Sequence, residues 1–189
     1  LYEECLAQRK ASLGEGHPAT LASMNNLAAL YLNQGKYSTA QPLYEECLAQ
    51  RKASLGEGHP STLMSMNNLA ILYKRQGEYS KAQPLYEECL AQQKASLGEG
   101  HPDTLMSMNN LAILYSDQGE YSKAQPLYEE CLAQQKASLG EGHPDTLMSM
   151  NNLAILYSDQ GEYSKAQPLY EECLAQQKAS LGEGHPDTL

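Results

Sequence analysis

Asn26-Leu27-Ala28-Ala29-Leu30-Tyr31-Leu32-Asn33-Gln34-Gly35-Lys36-Tyr37-Ser38-Thr39-Ala40-Gln41-Pro42-Leu43-Tyr44 reads as the end of one amphipathic helix, a glycine turn and the start of a second helix. Near-copies begin at Asn68, Asn110 and Asn152, so the period is 42 residues, and segments 103–144 and 145–186 agree at all 42 positions. A fixed period of this size marks a stacked array of one supersecondary unit. The 189 residues therefore read as one repeat domain. A half repeat with the second helix only covers 1–18. Full repeats cover 19–60, 61–102, 103–144 and 145–186, and 187–189 is the truncated start of another.

Around that stretch the rest of the unit falls into place. His17-Pro18 opens the first helix, because proline is favoured where its missing N–H would have had no intrahelical partner. Met24, Leu27, Ala28 and Tyr31 then recur on one face of a 3.6-residue helix. Gly35, Gly77, Gly119 and Gly161 supply the left-handed residue that ends it, so the first helix is expected over Pro18–Gln34. The second helix is expected from Tyr37-Ser38, with Ser38 as N-cap. Its buried stripe is Tyr37, Ala40, Tyr44, Cys47, Leu48 and Leu55, and Pro42 predicts a mild bend rather than a break. Gly56-Glu57-Gly58 links to the next unit. Two helices, each roughly 25 Å long, joined by a tight turn make an antiparallel hairpin, and only stacking on neighbours can bury its apolar stripes.

Composition follows from the repetition. Hydrophobic residues make up 41%, yet Phe, Trp and Val are absent, because the unit lacks them and so do its copies. Identical neighbours imply recent amplification or deliberate design, and the sequence leaves both open. The net charge of -10 is uneven: repeats 19–60 and 61–102 sum to zero, and the next two carry -4 each. This argues against nucleic acid or other phosphate partners in the acidic half. No apolar run is long enough to span a membrane, and no signal peptide is visible. The chain begins at Leu1 without Met and reads as an excised piece of a longer array. Cys5, Cys47, Cys89, Cys131 and Cys173 recur one per unit, without the close pairs of a zinc site or disulfide framework, which favours a reducing, cytoplasmic setting.

In full, the pattern Asn-Leu-Ala-x-Leu-Tyr-x-x-Gln-Gly-x-Tyr-Ser-x-Ala-x-x-Leu-Tyr resembles the tetratricopeptide repeat. Met24 departs from it, standing where an aromatic is usual. The 42-residue length, the Ala-Gln-Pro-Leu-Tyr segment and the Leu-Gly-Glu-Gly-His-Pro loop are similar to the longer variant of kinesin light chains and of many bacterial and fungal arrays. The resemblance implies an all-α, right-handed superhelical solenoid of antiparallel helix pairs, whose first helices line a concave groove for extended or short helical peptides.

The face of the first helix away from its Met24-Leu27-Tyr31 stripe carries Ala22, Asn25, Ala29, Leu32 and Asn33. In later units it reads Met64, Asn67, Ile71, Lys74 and Arg75, then Met106, Asn109, Ile113, Ser116 and Asp117, then Met148, Asn151, Ile155, Ser158 and Asp159. Asn26, Asn68, Asn110 and Asn152 match the asparagine with which the family holds a peptide backbone, a task that suits an amide able to donate and accept at once. Asn25, Asn67, Asn109 and Asn151 beside them are weaker candidates, and both series could instead bond neighbouring helices. The Met and Ile side chains form an adaptable apolar strip or merely cover the inner wall. Kinesin light chains use basic groove residues for acidic tryptophan-containing peptides. Here only Lys74 and Arg75 are basic.

Other recurrent residues have structural readings. His17, His59, His101, His143 and His185 sit one per junction, too far apart to converge on a metal, and suit a loop or capping role. The cysteines suit packing. Glu45-Glu46 and its copies read as a solvated face. No catalytic constellation, metal site or cofactor motif appears, so the expected class is not an enzyme.

Two functions fit. The first is an interaction scaffold holding a peptide or protein segment of mixed charge, acidic near Lys74-Arg75 and basic near Asp117 and Asp159. The second is a structural array without a dedicated ligand, self-associating head to tail through uncapped ends.

Overall fold

Histidine-proline pairs start helices and glycines stop them. The computed structural model describes residues 2–181. Among them lie nine helices and no strand: α1 (Tyr2–Leu13), α2 (Pro18–Asn33), α3 (Tyr37–Leu55), α4 (Pro60–Arg75), α5 (Tyr79–Leu97), α6 (Pro102–Asp117), α7 (Tyr121–Leu139), α8 (Pro144–Asp159) and α9 (Tyr163–Leu181). The even-numbered helices are the first helices of the repeats. His17, His59, His101 and His143 are their N-caps, and each Nδ1 accepts from the backbone N–H two residues on, at 3.1 to 3.2 Å. Each histidine thereby satisfies one of the donors that a helix start leaves without a partner. His185 and the expected truncated start at 187–189 lie outside the described residues.

The turn between the helices of a pair requires glycine. Gly35 has φ +71°, its N–H donates to the Leu32 carbonyl at 3.0 Å, and the Lys36 N–H reaches back to the Tyr31 carbonyl at 2.9 Å. This is the paired bond pattern of a left-handed helix stop. It also corrects the expected start of the second helix. Lys36, not Ser38, is the N-cap, and its carbonyl already accepts from the N–H groups of Thr39 and Ala40. Pro42 lies inside α3, which runs through it for 19 residues.

The chain forms two compact units, Leu1–Ser96 and Leu97–Leu189. In the first, α2 packs against α1 and α3, and α3 against α4. In the second, α6 packs on α7, α7 on α8, and α8 on α9. Met24, Ala28, Ala40, Cys47 and Tyr44 are buried in the first unit, as are Met108, Ala112, Leu114, Ala124 and Cys131 in the second. The small buried alanines leave room for neighbouring helices, and the flexible buried methionines suit irregular spaces between them.

Two expectations about the second helices change. Leu55 is 40% exposed, and the buried stripe ends instead on Arg51, only 5% exposed. Its Nη1 donates to the Ser61 carbonyl and to Ser65 Oγ, both at 2.8 Å, so α4 covers it. Nor is the Glu45-Glu46 series simply solvated. Tyr73 and Tyr157 hydroxyls donate to Glu45 and Glu129 at 2.7 Å, and Glu46, Glu88 and Glu172 pair with Lys10, Lys52 and Lys136 of the preceding second helix. These bonds tie one repeat to the next. Among the described residues no helix is long and apolar enough to cross a membrane.

Candidate functional site

Packing fixes which face of each first helix is left open. In the second unit Met108 and Met150 are fully buried, whereas Met106 and Met148, two residues earlier, are 50% and 51% exposed. Two residues turn a helix by about 200°, so one methionine of each pair faces the core and the other faces out.

Asparagines link neighbouring first helices. Asn68 Nδ2 donates to Asn25 Oδ1 at 3.0 Å, and Asn152 Nδ2 donates to Asn109 Oδ1 at 3.1 Å. Asn25, Asn67 and Asn109 are buried, Asn68, Asn110, Asn151 and Asn152 are half-buried, and Asn26 is exposed. One amide of each bonded pair thus fixes the spacing of the two helices, and its partner stands at the rim.

In the second unit the open faces of α6 and α8 bound a cleft of about 560 Å³. Met106, Asn109, Asn110, Ile113, Met148 and Asn152, all among the candidates named from the sequence, line it. Asn151, Ile155, Asp117 and Asp159 do not. Ile155 is 42% exposed beyond it, while Asp117 and Asp159 lie at the far helix ends, beside Tyr128 and Tyr170. Burial pushes both phenols up, and the neighbouring aspartate adds to the shift. In the first unit Met64 is 46% exposed, Ile71 and Lys74 are half-buried, and Arg75 is exposed near Tyr44. Burial raises the Tyr44 phenol to about 12 against the opposing charge of Arg75.

Sequence periodicity did not reveal Asp103, Gln135, Ser138, Leu139 and Asp145, which also line the cleft, as do Gly100, Pro102 and Leu105. A usable signal was present at three of them, which vary between repeats. Asp103, Gln135 and Asp145 correspond to Ala19, Arg51 and Ser61. A second cleft, of about 670 Å³ between α1 and α3, was also missed; Leu6, Leu27, Tyr31, Thr39, Pro42 and Leu43 are among its walls. Thr39 stands where later repeats have Lys81, Lys123 and Lys165, whose ammonium groups lie 5.1 to 5.2 Å from the rings of Tyr73, Tyr115 and Tyr157.

The buried cysteines belong to this scaffolding. Cys47 Sγ donates to the Leu21 carbonyl at 3.4 Å and lies 3.6 Å from Ser65 Oγ, and Cys131 makes the same contacts with Leu105 and Ser149. Burial raises both thiols above their ordinary range, as suits packing groups rather than nucleophiles.

The model of one family, the tetratricopeptide repeat, matches residues 1–53, 22–95, 75–137 and 118–179. The chain belongs to the tetratricopeptide repeat family. Solved structures agree. Two are of nearly identical TPR-like repeats from Podosopora anserina, described as a candidate kinesin light chain. A single-substitution form of these repeats is 34% identical with a TM-score of 0.83, covering 95% of this chain and 84% of that one. The other is 33% identical with a TM-score of 0.81, covering 95% and 85%. BtubC (BKLC) from P. vanneervenii is 25% identical with a TM-score of 0.83, covering 98% and 73%. Comparison with curated proteins gives no sequence match. The fold class is thus the all-α superhelical repeat, and tetratricopeptide repeats are in general protein-interaction scaffolds rather than enzymes.

Proposed function

We propose that this tetratricopeptide array holds a peptide segment of a partner protein against the open face of its first helices. The observation that carries this reading is the α6–α8 cleft, where rim amides of Asn110 and Asn152 stand beside the apolar side chains of Met106, Ile113 and Met148. Amides can grip a peptide backbone in both senses, and methionines adapt to varied side chains. The charges at the ends of the first helices set the preference of each unit: acidic residues near Lys74 and Arg75 in the first, basic ones near Asp117 and Asp159 in the second. A random-peptide selection tests this. Asn110→Ala with Asn152→Ala weakens the selected peptides if the groove binds them, and unchanged affinity refutes groove binding.

A specific observation favours a second reading, self-association. Tyr170 and Leu174 of α9 are 38% and 42% exposed, whereas Tyr44, Tyr86 and Tyr128 are at most 3% exposed and Leu48, Leu90 and Leu132 at most 8%. The α9 face is the one that α4 covers on α3 and that α8 covers on α7. Sedimentation across a concentration series separates the readings: a mass that grows with concentration supports association, and a constant monomer mass removes it.

A further inference from the structure

In the α6–α8 cleft, Gln135 presents a buried acceptor without a donor. Its side chain is 5% exposed, and Oε1 meets no hydrogen-bond partner among the described residues. Buried carbonyl groups are normally paired, so this one marks a place where a donor is expected from outside. The cleft it lines also carries the carboxylates of Asp103 and Asp145, both exposed, and among the described residues no lysine or arginine lines it. The imidazoles nearest these carboxylates are those of His101 and His143, with Nδ1 at 3.9 and 3.8 Å, and each Nδ1 is already occupied as a helix cap.

The first unit offers an internal comparison. There the equivalents of Asp103, Gln135 and Asp145 are Ala19, Arg51 and Ser61. The protein's own guanidinium occupies that place, 5% exposed and bonded to the Ser61 carbonyl and Ser65 Oγ at 2.8 Å. Repeats with Arg thus supply a cation and no carboxylate. The cleft with Gln supplies an acceptor and two carboxylates, and omits the cation.

The geometry points to a subsite in the α6–α8 cleft for a basic side chain, lysine or arginine, of a bound segment. This rests on the peptide-groove reading and adds a specificity determinant to it. Gln135 Oε1 and the carboxylates of Asp103 and Asp145 take the charged head. The aliphatic stem lies along Leu139 and Met148, since long basic side chains bury their methylenes while keeping the charge among polar groups. The segment is therefore read in two ways at once, with apolar residues against Met106 and Ile113 and one obligatory cation beside Gln135.

The test uses the full chain and a random-peptide library. The key variant carries Asp103→Ala, Gln135→Arg and Asp145→Ser together, residues that the array already accommodates at positions 19, 51 and 61. Equal thermal melting confirms that it folds. Peptides selected on the native chain are expected to share a Lys or Arg at one position. Replacing that residue by Ala, or using the triple variant, should weaken binding about tenfold or more, and the two changes together should cost little more than one. If selected peptides lack a fixed cation, or the triple variant binds them unchanged while Asn110→Ala with Asn152→Ala weakens them, the subsite is refuted and the groove stands. If neither set of changes alters binding, the groove reading falls with it.

Discussion

Each repeat after the first carries a Met-Ser-Met triplet whose two methionines face opposite ways, and this gives a sharp test of the helix faces. Met108 is fully buried, so Met108→Ala removes three heavy atoms from a packed core. Lost transfer energy and the residual cavity together predict about 3 kcal/mol of destabilisation. Met106 is 50% exposed on the open face, and alanine is at least as good a helix former, so Met106→Ala should cost at most about 0.5 kcal/mol. For a chain of this length about 3 kcal/mol lowers Tm by roughly 6–12 °C, against about 1–2 °C for the exposed partner. Circular dichroism melts of the two variants, repeated with Met150→Ala and Met148→Ala, measure the difference. Equal losses, or a larger loss at Met106, would show that α6 is rotated from the orientation described and that the open face has been misassigned.

Three further outcomes follow from the same packing. Gly119 has φ +74° with nothing within 4 Å of an added Cβ, so Gly119→Ala adds only backbone strain, about 1–2 kcal/mol in denaturant melts. Gly100→Ala, outside the left-handed region, should cost less. Burial raises the Tyr44 phenol to about 12, and burial with the Glu129 bond raises Tyr157 similarly, from an ordinary value of 10.0. Below pH 10 these phenols are protonated in both states and stability is undiminished; from pH 10 to 12 the unfolded chain ionises first, so melts at increasing pH should lose stability across that window. Among the thiols, half-buried Cys5 should react first with iodoacetamide. Cys47, Cys89 and Cys131, fully buried, should follow only at the rate of local opening, as intact-mass time courses would show.

Much of the helix-pair architecture was readable from single-helix periodicity. The Met24-Leu27-Ala28 stripe, the His17-Pro18 start and the Gly35 stop are local features whose spacing alone identifies them, and the structure places each where that spacing put it. Most of the misses share one physical cause: they depend on contacts between repeats. Arg51 finds its hydrogen-bond partners 10 and 14 residues on, across the α3–α4 loop. Glu45 meets Tyr73 at a separation of 28 residues, and Asn25 meets Asn68 at 43. The same holds for the cleft. Met106, Ile113 and Met148 were visible as an apolar stripe, but Gln135 enters it from the end of a second helix, where the sequence shows only a polar residue. Ser38 failed as a cap because the glycine turn had already engaged Lys36.

Methionine methyl groups offer the most direct test of the proposed groove, because the seven methionines divide between the core and the open face. With ¹³C-methyl labelling and titration of a selected peptide, the groove account predicts that the Met106 and Met148 resonances shift strongly while those of Met108 and Met150 stay nearly fixed. Shifts absent from Met106 and Met148 at saturating peptide would place binding elsewhere and contradict it.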